Sequence, residues 1–164
     1  MPVELILAVF DCNIFLQSLL NPNSLAAKCL EAVRNGNVKL FVSKDTLAEV
    51  RDVILRPNIL ARLPDANAAQ IEAFLEDISN ISTLIRSVPE YFKFQRDPKD
   101  EIIINLAVVC RADFIVSRDK DLIDLMTGFT DDCKEFRKRF RPLKVVEPLE
   151  FLRIVEEKVL SLNQ

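Results

Sequence analysis

Five aspartates sit where secondary structure should begin or end, the places at which side chains from distant parts of a chain can meet. Asp11 closes the apolar run LILAVF. Asp97 and Asp100 open the segment DPKDEIIINLAVVC, and Asp119 and Asp121 follow Phe114, Ile115 and Val116 in the phrase SRDKD. Carboxylates gathered in one place repel one another near neutral pH, so such a cluster must raise its pKa values or bind a cation. Taken singly, each aspartate can simply cap or turn its own loop. Two of them, Asp11 and Asp119, would meet at one sheet edge if their strands are neighbours.

Composition narrows the chemistry further. The chain has no histidine, which removes a histidine general base, a Ser-His-Asp triad and histidine-ligated zinc. Its two glycines, Gly36 and Gly128, cannot build a Walker loop or a dinucleotide turn. Cys12, Cys29, Cys110 and Cys133 show neither CxxC pairing nor zinc-finger spacing and read as reduced thiols. The net charge of -3 disfavours a protein held on nucleic acid by bulk positive charge, while leaving room for a local basic groove beside an acidic site. No apolar run is long enough to span a bilayer, and no basic region precedes LILAVF. These features lead us to expect a cytoplasmic protein without a membrane partner. With 164 residues and 49% hydrophobic content, one domain spanning 1–164 can bury a sizeable core.

The elements that must position the acids alternate between strand and helix. Residues 3–10 read as a buried parallel strand ending at Asp11. Ser24 caps a helix through Val33, after a loop containing Asn21, Pro22 and Asn23, and Asn35, Gly36 and Asn37 end it. Val38 to Val42 form a second strand. Ser43 or Asp45 then starts a helix with Leu47, Val50, Val53 and Ile54 on its apolar arc; Glu49 lies at the border of that arc, where a glutamate is ordinarily solvated. Arg56-Pro57 breaks the helix, and residues 59–63 make a short helical connection. Residues 67–85 form an amphipathic helix, 85–88 an edge strand, and 90–96 an irregular segment.

In the acidic stretch, Asp97 is placed to act as N-cap with Pro98 at the first helical position and Asp100 in the positive first turn. Ser117, Arg118 and Asp119 then fall beyond the carboxyl end of a short strand, the edge at which open α/β sheets bind ligands. Residues 122–126 continue as a helical turn. Lys134, Arg137, Lys138, Arg139, Arg141 and Lys144 form the one strongly basic stretch, either a solvated helix face or a phosphate-contacting rim. Val145-Val146 reads as a last edge strand. Pro148 starts a terminal helix whose stripe of Leu152, Val155, Val159 and Leu162 suits core packing, with a homodimer seam as the alternative. The alternation predicts a three-layer α/β/α sandwich around a mainly parallel sheet of four or five strands.

The phrases VFDCN, SKDTLAEVRDVILRP, RDPKDEIIINLAVVCRADFIVSRDKDL and VVEPLEFL, in that order over almost the whole chain, resemble the PIN domain, and most of all its bacterial toxin-antitoxin branch. The resemblance implies an Mg2+- or Mn2+-dependent ribonuclease. It makes Asp11, Glu49, Asp100 and Asp119 the catalytic and metal-holding set, and Asp97, Asp121, Asn13 and Ser117 accessory positions. It further implies an RNA substrate and an antitoxin protein partner. Arg118, Lys120, Lys134, Arg137, Lys138 and Arg141 are the candidate nucleic-acid contacts. Departures from the family pattern are Cys12 in place of a usual Thr or Ser, Arg111 near a common Gly, Glu101 where Asn or Asp is frequent, and the long basic insertion. A catalytically silent RNA-binding or protein-binding module is the alternative. A haloacid-dehalogenase-like phosphohydrolase is weaker, because Asp11-Cys12-Asn13 lacks the second acid of a DxD phrase.

Overall fold

Strand residues alternate between two apolar layers, as a sheet covered on both faces requires. Ile6, Ala8 and Phe10 join one core with Val38, Leu40, Val42 and Val116, while Val9, Phe41, Ile115 and Val145 join the other. The computed structural model describes residues 5–63, 65 and 67–164. In chain order it contains β1 (Ile6–Phe10), α1 (Cys12–Leu20), α2 (Leu25–Arg34), β2 (Val38–Ser43), α3 (Lys44–Ile54), α4 (Pro57–Leu60), α5 (Ala68–Ile81) and β3 (Ser82–Ile85). There follow α6 (Asp100–Val109), β4 (Phe114–Val116), α7 (Lys120–Ile123) with a 3-10 turn at Asp124–Met126, α8 (Asp131–Arg139), β5 (Lys144–Val146) and α9 (Pro148–Leu162).

The five strands pair in the order β3-β2-β1-β4-β5, all parallel. This is the α/β/α sandwich that the sequence pattern predicts, with β1 at the centre. Helices α1, α2, α3, α5 and α9 supply buried residues to the first core; α6, α7 and α8 supply the second. The β1–β4 register sets Phe10 against Val116, so the next residues along the two strands, Asp11 and Ser117, emerge side by side at the carboxyl edge.

Four boundaries differ from the sequence reading. Residues 12–20, to which the sequence reading assigns no element, form α1: Asp11 is at once the end of a strand and the residue before a helix, so no turn signal separates them. Asp97 is not the residue that caps α6. The helix starts at Asp100, and Asp97 instead forms a turn in which its side chain accepts from the Lys99 amide at 3.0 Å and its carbonyl from the Asp100 amide at 3.1 Å. Helix α5 stops at Ile81, where the Ser82 hydroxyl donates to the Ile78 carbonyl, and the edge strand occupies Ser82–Ile85 instead of 85–88. Pro57 opens α4, so the short connection begins two residues earlier than read. The first residues of the predicted strand, 3 and 4, lie outside the described residues. On α9, Val155 is buried while Leu162 is exposed, so the stripe is mainly core packing.

Candidate metal centre

The site grows from the carboxyl ends of the two middle strands. Asp11 is buried, with one carboxylate oxygen accepting a 2.8 Å hydrogen bond from the Ser117 hydroxyl. The same hydroxyl accepts from the Asp119 amide at 2.9 Å, and Asp119 in turn accepts from the Asp121 amide at 2.9 Å through its own side chain. Ser117, fully buried, therefore ties the acid after β1 to the acid after β4. Its backbone is fixed as well, donating to the Val146 carbonyl at 3.0 Å.

The other acids stand at or just before the amino ends of α6 and α7. Asp97, Asp100, Asp119 and Asp121 each place a carboxylate oxygen within 4.8 Å of the others. Asp100 is the buried member, and its Oδ2 has no hydrogen-bond partner among the described residues. Burial is the main reason its pKa is pushed up to about 8, with the neighbouring Asp119, Asp11 and Asp97 charges adding to the effect. Asp100 and Asp119 can hydrogen-bond each other only when one of them carries a proton. Asp11 is also raised, first by burial and then by Asp119 and Asp97, against the lowering effect of Ser117. Glu49 is raised by burial and by Asp11, offset in part by Lys99.

Glu49 and Asp11 lie outside the close quartet but within its electrostatic field. Asp97 and Asp121, read as accessory positions, are inside it. Asp121 carries its own counter-charge: Arg96 reaches it at 2.6 Å and reaches Asp124 at 3.1 Å. Arg96 was not among the residues singled out from sequence, since one cation in an irregular segment carries no periodic signal. Two polar clamps hold that segment against α6. Asn105 accepts from the Tyr91 and Phe92 amides at 2.9 Å each, and Glu101 accepts from the Phe94 amide at 2.7 Å. The departure at Glu101 thus has a structural use beside the buried Asp100.

A groove of about 630 Å³ opens from Asp119 toward α1 and α2, with Asn13, Gln17, Asn21, Arg62 and Arg118 in its walls. Arg118 is held by a 2.7 Å hydrogen bond to Gln17. Arg62, which the sequence reading also passed over, follows α4. Lys120 is exposed at the start of α7.

The basic stretch does not assemble as one rim. Arg137 is half-buried and spends its guanidinium on the Leu125 and Gly128 carbonyls, both at 2.7 Å, so it braces the chain between α7 and α8. Arg141 lines a small cavity at the amino end of the sheet with Arg111 and Asp113, the edge opposite the acids. Lys134 and Lys138 are exposed on α8 and pair with no acid of the cluster. The charge run looked continuous because sequence adjacency hides the reversal of direction between α8 and β5.

The oxygen-only donor set and the orphaned oxygen of Asp100 fit a hard divalent cation. A family model described as the PIN domain matches residues 8–121, which contain every acid of the cluster. The chain belongs to the PIN domain family. Members of this family are typically metal-dependent nucleases. Across 149 residues this PIN-domain chain is 31% identical to an uncharacterized protein, MJ1680, of Methanocaldococcus jannaschii, covering 91% of each. Its fold is similar to a chain in the crystal structure of VapBC2 from Rickettsia felis bound to a DNA fragment from the promoter. That match has a TM-score of 0.52 and 15% identity, and it covers 87% of this PIN-domain chain and 98% of the other. Among the described residues no helix is long and apolar enough to cross a membrane.

Proposed function

We propose that this PIN domain is a divalent-metal-dependent endoribonuclease, using Mg2+ or Mn2+ to hydrolyse RNA phosphodiester bonds. The observation that carries the reading is the buried, unpartnered Oδ2 of Asp100 inside a quartet of carboxylates. A buried polar oxygen without a donor costs about 1–3 kcal/mol, more when charged, and a cation offsets that cost while neutralising the repulsion. Asp100 and Asp119 would hold the ion, with Asp97 and Asp11 beside them directly or through water. Such a cation supplies positive charge against the scissile phosphate and acidifies a nearby water.

The remaining steps fall to the chain's own groups. Ser117 fixes the rotamer of Asp11 and the path of the backbone at Asp119, so the two acids keep one separation. Glu49, whose pKa is raised by burial and then by Asp11, is suited to accept a proton from the attacking water. Asn13, exposed at the rim, and Ser117 are suited to hydrogen-bond phosphate or water. Arg118 and Lys120 flank Asp119 in sequence and would attract the polyanion to an otherwise acidic edge.

The likeness to a chain of VapBC2 supports placing the protein as the toxin of a toxin-antitoxin pair, with an antitoxin protein covering this edge. Incubating purified protein with single-stranded RNA in Mg2+ or Mn2+ should yield metal-dependent fragments. Cleavage that persists in EDTA, or equal cleavage by Asp11→Asn, would defeat the assignment.

A further inference from the structure

The groove beside Asp119 has a chemistry distinct from the acid cluster it adjoins. Its volume of about 630 Å³ falls within the roughly 300–1,000 Å³ typical of small-molecule sites. Two arginines from separate elements enter it: Arg118, after β4, and Arg62, after α4. Arg118 is oriented in advance by Gln17. Arg62 forms no ion pair with any described residue, so its charge remains available.

The amides in the same wall have their orientations fixed by these bonds. Gln17 accepts from Arg118 through Oε1, which leaves its NH2 free to donate. Asn21 accepts from the Asn23 amide at 3.0 Å through Oδ1, which likewise leaves its NH2. Beside the Asn13 amide, the Ser24 hydroxyl and the Asp119 carboxylate, the wall therefore presents four fixed or charged donors: two guanidiniums and two amide NH2 groups. Leu16 and Leu20 add apolar surface against which a planar ring can lie.

Away from the Asp119 carboxylate at one end, these four donors favour a ligand of acceptors. A phosphate is one; the guanine edge bearing O6 and N7 is another, whereas the corresponding adenine edge pairs its N7 acceptor with an N6 donor. We propose that this groove is a nucleotide-recognition subsite flanking the scissile bond, in which Arg62 and Arg118 hold a backbone phosphate and Gln17 and Asn21 read an acceptor-rich base, guanine in preference to adenine. The proposal rests on the nuclease reading for its substrate class and adds which part of the chain selects the substrate.

Binding of labelled single-stranded hexanucleotides, followed by fluorescence anisotropy in Ca2+ with the recovered oligonucleotide checked for length, tests it without requiring turnover. Wild-type protein should bind a guanine-containing hexamer more tightly than its adenine or 7-deazaguanine counterpart. Arg62→Ala should weaken binding about tenfold and lower the salt slope by roughly one phosphate's worth, with an unchanged melting temperature. Gln17→Glu keeps an acceptor for Arg118 but removes the amide donor, and should erase the guanine preference. Equal affinity of Arg62→Ala and wild type, indifference to the base, or no binding by wild type overturns the subsite. Arg62-dependent binding without cleavage in Mg2+ or Mn2+ would instead sink the nuclease reading and leave the subsite standing. Cleavage by Arg62→Ala at wild-type KM would do the reverse.

Discussion

The two ends of the central strands carry aspartates in opposite circumstances. At the amino end, Asp113 accepts from the Leu7 amide at 2.9 Å through its side chain, while its backbone donates to the Leu7 carbonyl and accepts from the Lys144 amide. It thereby links β1, β4 and β5. At the carboxyl end, Asp100 has a buried oxygen with no donor among the described residues and three neighbouring acids. The residue type is the same; the supply of donors differs. One edge has been built to hold the sheet together, whereas the other retains an electrostatic cost that folding alone does not relieve.

Substitution should separate these edges most sharply in activity. Asp119→Asn should lower kcat by at least about 100-fold in an RNA cleavage assay with circular dichroism unchanged, since loss of a charged ligand exceeds the 10–100-fold effect typical of outer-shell partners. Asp113→Asn should leave kcat alone. If both variants lose activity equally, the contrast is only one of folding.

Metal and pH give the next largest effect. The folded-state pKa of Asp100, about 8, lies above its ordinary value of 3.8, so between these limits the folded protein binds more protons than the unfolded chain. Stability of the metal-free protein should then fall as pH rises from 5 to 9, an effect that the raised Asp11 and Glu49 reinforce. Mg2+ or Mn2+ at 100 times its pH 8 Kd should restore about 2.7 kcal/mol at pH 8, and the same concentration should restore less at pH 5 because protons compete for the same oxygens. Calorimetry with and without EDTA reads both trends, and a flat profile would contradict the buried-acid account.

Stability changes of opposite sign sharpen the comparison further. In metal-free protein at pH 8, Asp100→Asn should raise the unfolding free energy by about 1–3 kcal/mol, whereas Asp113→Ala should lower it by a similar amount because it strands a backbone donor. Urea titration measures each. Arg137→Ala should cost about 1–3 kcal/mol through two lost carbonyl bonds, with RNA affinity unaltered. The smallest effect belongs to Arg111, held at φ 54 in the left-handed region that favours glycine. Arg111→Gly should gain up to about 1 kcal/mol, the left-handed penalty of a side chain being partly offset by glycine's entropy.

The sheet was legible in the sequence because buried parallel strands are short, apolar and bounded. Helix α1 was not, since CNIFLQSLL follows the strand without an interruption. Ser24, Ser43 and Pro148 marked helix starts correctly because each acts locally, by a side-chain cap or a fixed φ. The acids could be named from their places at element ends, but which of them stand closest depends on how α6 and α7 approach β4. That angle is set by tertiary packing, which is why Asp97 and Asp121 join Asp100 and Asp119 while Asp11 and Glu49 stand slightly apart. Arg62 and Arg96 are single cations in irregular segments, and only three-dimensional proximity gives them a role. The run from Lys134 to Arg141 misled in the opposite sense, by suggesting a common surface for residues that the turn into β5 separates.

The bond from Ser117 to Asp11 joins residues 106 positions apart, one step beyond the paired ends of β1 and β4. The spacing of these two polar groups is thus inherited from the interstrand repeat of about 4.8 Å, a dimension that loops do not set. Fraying at the surface would leave it intact, whereas parting the two middle strands would abolish it. Hydrogen exchange at the Asp11 amide, which donates to the Val116 carbonyl, should accordingly be among the slowest in the molecule and should report loss of the site and loss of the fold as a single event.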